Sequence, residues 1–514
     1  MANLSKDNLF ILIKSLSRSE KRQFKLYANR LDVNENAKFL LLFNLLDKMN
    51  EYNEEEILKS KIVTKIQISN LKAHLYKQIL VSLRMNPVNQ NNRILIREQL
   101  DFATILYHKG LYKQSLKILE KAKVMALENE EKNIAYEIVE LEKIIESQYI
   151  TRSIVGRADE LTIQAKELSK QNVIASKLSN LSLQLYSIML KSGYAKSDGE
   201  MQEITTYFNK HLPKYEIETL GFREKLWLYK AHLWYSFLIQ DFLSCFKFSK
   251  KWVDLFYDNP KMINLNPVWY IKGVTYLLEC LYLLKHKTLF EDTLIKLEGT
   301  ISLDTFPKND NVNILTFLCI YNSKFNLYFL EGNFEKGIYL VDEVLKKLKQ
   351  DEDKIDEHHV MVFYYKIACL YFGIGNNIKC IEFLQKIIDN KNLSMREDLM
   401  CFARVLSLVA HYEASLDYKL ELQLKSTYKF LIKMNDLHEV QREMIKFLRN
   451  LGNIFPHELK GEFKKLHTTL KTYENHPYER RAFLYLDIIS WLESKIDNKP
   501  INEIIKEKAS NSNR

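Results

Sequence analysis

The sequence predicts an all-α protein: a small helical module over residues 1–90, then an α-solenoid of stacked antiparallel helical hairpins over 91–496, then a short helix and a fraying tail over 497–514. Two observations carry this reading. Glycine (13) and proline (8) are scarce in 514 residues, about 2.5% and 1.6% against ordinary abundances of roughly 7% and 5%, which leaves too few turn formers for many β-hairpins or a Rossmann-type sheet. One arrangement of small, aromatic and bulky residues also returns every 40–47 residues along the chain, and a fixed period is the mark of a repeat architecture.

The first ninety residues read as four or five helices. In "MANLSKDNLFILIKSLSRSEK" the apolar run is only "LFILI", and Ser17 with Glu20 forms a capping box. This start is therefore expected to be a folded helix rather than a cleaved leader. "ENAKFLLLFNLLDKM" is a strongly apolar helix, and Asn53 precedes "EEEILKSKI", whose acids lie in the first turn where the helix dipole favours them. "VSLRMNPVNQNNR" breaks the pattern with Pro87 and a run of amides, and the domain boundary is placed there.

The repeat is clearest around Gly110 in "YHKGLYKQSLKILEKA": Ala103 lies seven residues before it, and Tyr112, Ser115, Leu119 and Ala122 follow at two, five, nine and twelve. Gly332 has Phe334, Gly337, Val341 and Val344 at the same offsets, and Gly375 has Ala368 before it and Asn377, Cys380, Leu384 and Ile387 behind. Weaker copies place turns at or near Ser153, Gly193, Gln240, His286 and Ser415. A glycine at a helix C-terminus takes the left-handed conformation without a Cβ penalty and lets the chain reverse. Small residues on one face of the next helix let the two helices approach closely, with the bulky residue filling the gap between them. Such a hairpin cannot bury its face alone, so neighbours must stack.

"ILYHKGLYKQSLKILEKA" and "LYFLEGNFEKGIYLVDEV" resemble the tetratricopeptide repeat, which has the same order of small, aromatic and bulky residues around its turn. The period here averages about 44 residues against the family's 34, as helices about one turn longer would produce. The chain is also similar to a group of bacterial helical-repeat proteins of like size that share segments such as "SLSRSEKRQFKLYANR" and "AFLYLDIISWLESKI". The resemblance implies that first helices line a groove, with ligand-contacting side chains ten and six residues before each turn. In this chain those positions are Lys230 and Trp234, Asn322 and Asn326, and Tyr365 and Cys369. An Asn pair one turn apart can donate to and accept from an extended peptide backbone.

Most of the chemistry is argued by exclusion. There is no Gly-x-Gly-x-x-Gly, no phosphate loop, no His-Glu-x-x-His and no Gly-x-Ser-x-Gly. No catalytic, cofactor or metal residue is therefore assigned, and the expected activity is non-enzymatic. His358 and His359 invite a metal reading, but adjacent helical positions diverge by about 100°, and a solvated acidic loop is the commoner setting. The 29 Tyr, 27 Phe and 5 Trp are expected to be mostly core. Six lone cysteines without a Cys-x-x-Cys pair suit a reduced compartment, and no stretch approaches the roughly 18 apolar residues of a membrane span, so a cytoplasmic protein is expected.

The expected role is a scaffold whose groove binds a peptide or protein partner. The alternative is a nucleic-acid-associated regulator. Residues 1–90 carry 15 Lys and Arg against 9 Asp and Glu, +6 of the chain's net +10. "EEEILKSKIVTKIQISNLKAHLYKQILVSLR" could form helix, turn, helix with Lys65, Lys72, Lys77 and Arg84, while Arg18, Lys21, Arg22, Lys25 and Arg30 lie on the preceding segment. Against this, Ile62, Val63, Ile66 and Ile68 look like packing residues.

Overall fold

Side-chain caps start the first, second and fourth helices of the computed structural model, which describes residues 7–30, 38–86, 91–148, 156–390, 397–433, 439–451, 454–455, 457–479, 483 and 487–512. Regular structure among these residues is entirely helical. Five helices precede residue 90: α1 (Asn8–Ser15), α2 (Arg18–Arg30), α3 (Lys38–Lys48), α4 (Glu54–Lys59) and α5 (Ile68–Met85). Asp7 Oδ1 accepts the Phe10 N–H at 3.0 Å to cap α1, and Asn53 Oδ1 accepts that of Glu55 at 3.0 Å to cap α4. The capping box forms as expected, with Ser17 N–H to Glu20 Oε2 at 2.8 Å and Glu20 N–H to Ser17 Oγ at 3.2 Å. Phe24, Phe43, Leu46, Leu75 and Ile79 meet in one apolar core. Val63 and Ile68 join that core, but Ile66 is 91% exposed and packs against nothing, because it lies in the turn before α5 rather than on its inward face.

A separate core follows, built by α6 (Asn92–His108), α7 (Tyr112–Glu128), α8 (Lys132–Gln148) and the first part of α9 (Arg157–Ser192). Here the small-residue rule has an atomic form: the buried Ser115 hydroxyl donates to the Ala103 carbonyl at 2.8 Å, a contact that only small side chains on both helices permit. A buried Lys123–Glu142 pair at 2.6 Å is shared with Arg157, 3.3 Å from the other Glu142 oxygen, so neither charge is left uncompensated in the interior.

The chain divides into two compact units between Leu168 and Ser169, inside α9, whereas the sequence reading sets its boundary at residue 90. Pro87 and Ser153 lie outside the described residues. The second unit takes the rest of α9, then α10 (Asp198–His211), α11 (Phe222–Leu238), α12 (Phe242–Tyr257), α13 (Lys261–Leu265), α14 (Pro267–Leu283), α15 (Lys287–Ser302), α16 (Asp310–Glu331), α17 (Phe334–Gln350), α18 (Glu357–Gly373) and α19 (Asn377–Ile388). It ends with α20 (Glu397–Glu413), α21 (Asp417–Lys433), α22 (Glu439–Asn450), α23 (Leu459–Lys471), α24 (Ile488–Asp497) and α25 (Ile501–Ser512). Pairs such as α11/α12, α18/α19 and α20/α21 are hairpins, and α12/α14 and α19/α20 join each hairpin to the next. This stacking is the expected solenoid, and two large apolar cores run through it.

The turns share one mechanism. Gly110, Gln240, Lys285, Gly332, Gly375 and Ser415 all have positive φ, between 53° and 78°. At each, the left-handed residue donates its N–H three residues back and the next residue donates five back, as in Gly110 to Tyr107 O at 2.9 Å with Leu111 to Leu106 O at 2.9 Å, and Gln240 to Phe237 O at 3.0 Å with Asp241 to Ser236 O at 2.9 Å. This is the Schellman arrangement. The turn expected near His286 falls at Lys285, and an identical one at Glu130 (φ 58°) joins α7 to α8 without any residue that signals it. Gln240 is buried at this strained backbone because its side chain repays the cost: Nε2 donates to the Ala195 carbonyl at 3.1 Å.

Close approach of helices explains two glycines inside helices. A Cβ on Gly337 would lie 2.4 Å from Leu370 Cδ2, and one on Gly373 would lie 2.4 Å from Phe334 Cγ.

Placing a non-glycine residue in the left-handed region costs roughly 1–2 kcal/mol. Ser415→Gly, at an exposed turn, is therefore expected to raise unfolding stability by about 1 kcal/mol in a urea melt, while Gln240→Gly lowers it despite the same φ, because the bond to Ala195 is lost. Gly337→Ala is expected to cost about 1–3 kcal/mol by overpacking.

Candidate functional site

The second unit encloses a cavity of about 1470 Å³. Its walls come from successive first helices: Tyr186 on α9, Trp234 on α11, Tyr276 and Glu279 on α14, Asn322 and Asn326 on α16, and Tyr365, Lys366 and Cys369 on α18. Helix α25 contributes Ile501, Ile505 and Lys508, and the α23 end contributes Lys471 and Glu474. Trp234, Asn322, Asn326, Tyr365 and Cys369, identified by their offset from the turns, thus face one space. Lys230 does not. Its ammonium sits between the rings of Trp227 and Trp269, 4.8 and 4.7 Å from their centroids, outside the cavity wall. Burial, helped by the Lys272 charge, lowers its pKa to about 8.

One end of the cavity is aromatic, with the Trp234 ring 4.8 Å from Tyr186 and 5.4 Å from Tyr276. Further along, Lys366 Nζ donates to Asn326 Oδ1 at 2.8 Å and to the Asn322 carbonyl at 3.2 Å. Lys366 lies deep in the unit while keeping some surface open to the cavity. Burial lowers its pKa to about 8, against the opposing pull of the Glu279 carboxylate. Asn322 Nδ2 is returned to its own helix, donating to Leu318 O at 2.8 Å. The two asparagines therefore do not present the matched donor and acceptor pair expected from their spacing. Around this point the wall offers the Lys366 ammonium and the Asn326 amide nitrogen as donors, a combination suited to a carbonyl or carboxylate, with the Glu279 carboxylate also on the wall.

Tyr365 and Cys369 hydrogen-bond to each other; burial pushes the tyrosine hydroxyl far above its ordinary range and the thiol up to about 12. Burial also lifts the Cys319 thiol, on the same wall, to about 11. The paired histidines are not on a solvated loop. They occupy the first turn of α18, which Asp356 caps by accepting the His359 N–H at 3.0 Å, and His359 Nδ1 lies 2.5 Å from the other Asp356 oxygen. That pairing holds the Asp356 carboxyl down at about 2. Among the described residues, no three His, Cys, Asp or Glu side chains converge as a metal-binding group.

Sequence reasoning missed Lys366. Its signal was present: it is the one charged residue in "VMVFYYKIACLYFG", a place where a charge is retained only with partners.

The basic residues of the N-terminal module divide in two. Lys72 is committed within the fold, bonding the Asp7 carboxylate and the Tyr52 hydroxyl, and Lys21 pairs with Asp47 at 2.7 Å. Arg84 pairs with Asp101 at 2.9 Å. Arg18, Arg22, Lys25, Lys65 and Lys77 are exposed, with Lys25 lying 5.7 Å from the Phe43 ring centroid.

No protein-family model, curated protein or solved structure matches this chain. Among the described residues no helix is long and apolar enough to cross a membrane.

The lowered Lys366 value has a measurable sign. Between about 8 and 10.5 the unfolded chain holds the proton that the folded chain has lost, so this side chain's contribution to stability rises across that window and is lowest below it. Denaturant melts at pH 7.5 and 9.5 are expected to show a smaller gain in Lys366→Met than in the parent chain.

Proposed function

We propose that this chain is a non-enzymatic, cytoplasmic interaction scaffold whose second unit seats a segment of a partner protein in the cavity walled by α11, α14, α16 and α18. The observation that carries this reading is the convergence of Trp234, Asn326, Tyr365 and Lys366 on one space of about 1470 Å³, larger than the 300–1,000 Å³ typical of small-molecule sites. Aromatic walls would hold apolar side chains, and the Lys366 and Asn326 donors would take a backbone carbonyl or an acidic group. A few such central anchors dominate affinity at protein interfaces. The repeat resemblance points the same way, since its first helices line the ligand groove. The nucleic-acid reading draws less support, because Lys72 and Lys21 already hold the N-terminal module together.

Selection of a phage-displayed random peptide library on the whole protein provides defined probes. Fluorescence anisotropy of the selected peptides is expected to show at least tenfold weaker binding to Asn326→Ala and Lys366→Met, with circular dichroism showing both variants folded at the assay temperature. Equal affinity for parent and variants, or no saturable binder, would refute the assignment.

A further inference from the structure

Helix α25 forms part of the cavity wall yet is held by little. Ile504 is its one side chain counted as buried, at 4% exposure, among those described. Ile501 and Ile505, one helical turn apart, are only partly buried while forming part of the wall. The helix rests on the α16–α17 turn, where Gly332 has no side chain; a Cβ there would lie 2.8 Å from the Asn502 carbonyl oxygen. Its remaining ties are polar. Lys508 Nζ reaches Glu493 Oε2 at 2.6 Å and Ser490 Oγ at 2.8 Å on α24, and Lys499 pairs with Glu507 at 2.6 Å. Solvent-accessible ion pairs of this kind add little. A 12-residue helix is marginal by itself, and segments with few buried apolar contacts open far more readily than a core.

We infer that α25 is a displaceable occupant of the cavity wall, and that the partner segment is an amphipathic helix that takes its place with aliphatic side chains one turn apart. This rests on the reading that the cavity takes a protein segment. The wall already accepts a helix: the bare Gly332 surface admits a helical backbone closely, and adjacent positions accept Ile501 and Ile505. A helix laid in a groove is read through such i and i+4 anchors. Displacing α25 would free the stretch of wall that Ile501 and Ile505 now form, and a partner helix would set its own aliphatic side chains there.

The cysteines supply the readout. Cys319 and Cys369 line the cavity, whereas Cys245, Cys280, Cys380 and Cys401 are buried away from it. In the full chain carrying Ile501→Asp and Ile505→Asp, iodoacetamide should modify Cys319 and Cys369 at least tenfold faster than in the parent, followed by peptide mapping, with the other four unchanged. A fluorescein-labelled peptide of residues 499–512 should then bind this variant saturably, and the parent at least tenfold more weakly. Lys508→Glu, which sets a carboxylate against Glu493, should give a smaller acceleration at the same two thiols and serves if the double variant does not fold. Unchanged labelling would show that α25 does not close the cavity. Uniform acceleration of all six thiols would make it an integral part of the core. Open thiols without peptide binding, or a concentration-dependent dimer instead, would remove the helical partner, while the library selection on Asn326→Ala would still stand as a separate test of the cavity.

Discussion

The left-handed residue that ends a first helix, with its two backward hydrogen bonds, is the constraint on which the hairpins of this protein depend. It reverses the chain within a few residues and so fixes where the following helix begins. Gly110 donating to Tyr107 with Leu111 donating to Leu106, and again Gly375 to Phe372 with Asn376 to Tyr371, form the same pair of bonds and satisfy carbonyls that a helix end would otherwise leave orphaned. The bonds are made by backbone, which is why Gln240, Lys285 and Ser415 occupy positions where glycine would be less strained. Stacking then follows, because helices such as α14 and α18 bury residues around most of their circumference and need neighbours on more than one side.

The cavity is a product of that geometry rather than of any motif. First helices placed at a regular interval bring Trp234, Asn326 and Lys366, from three separate hairpins, to one space. Nothing in it requires special local sequence except Lys366, whose ammonium is balanced by amide oxygens and the nearby Glu279 carboxylate.

How much could be read beforehand follows from the same physics. Small residues at Ala103 and Ser115, and the left-handed positions at Gly110, Gly332 and Gly375, were legible because each answers a steric demand at a fixed offset. The turn at Glu130 was not, since a left-handed glutamate carries no compositional signature. Register alone brings Trp234, Asn322, Asn326 and Tyr365 to the cavity wall but not Lys230: register says which helix face a residue occupies and cannot say that two tryptophans will enclose its side chain. The engagement of Asn322 with Leu318 and of Lys72 with Asp7 likewise depends on atoms whose meeting no linear pattern records. The role of α25 was equally hidden, for a short terminal helix reads the same whether it drifts in solvent or rests on Gly332.

The interlock of α17 with α18 constrains substitution. Gly337 receives Leu370 and Gly373 receives Phe334, so each rod gives up a side chain where the other inserts one. Such a dovetail has one assembled register: a slide by a turn would drive a bulky group into occupied space. Enlarging either glycine therefore demands a trimmed counterpart across the joint, so these four positions are coupled sterically in pairs.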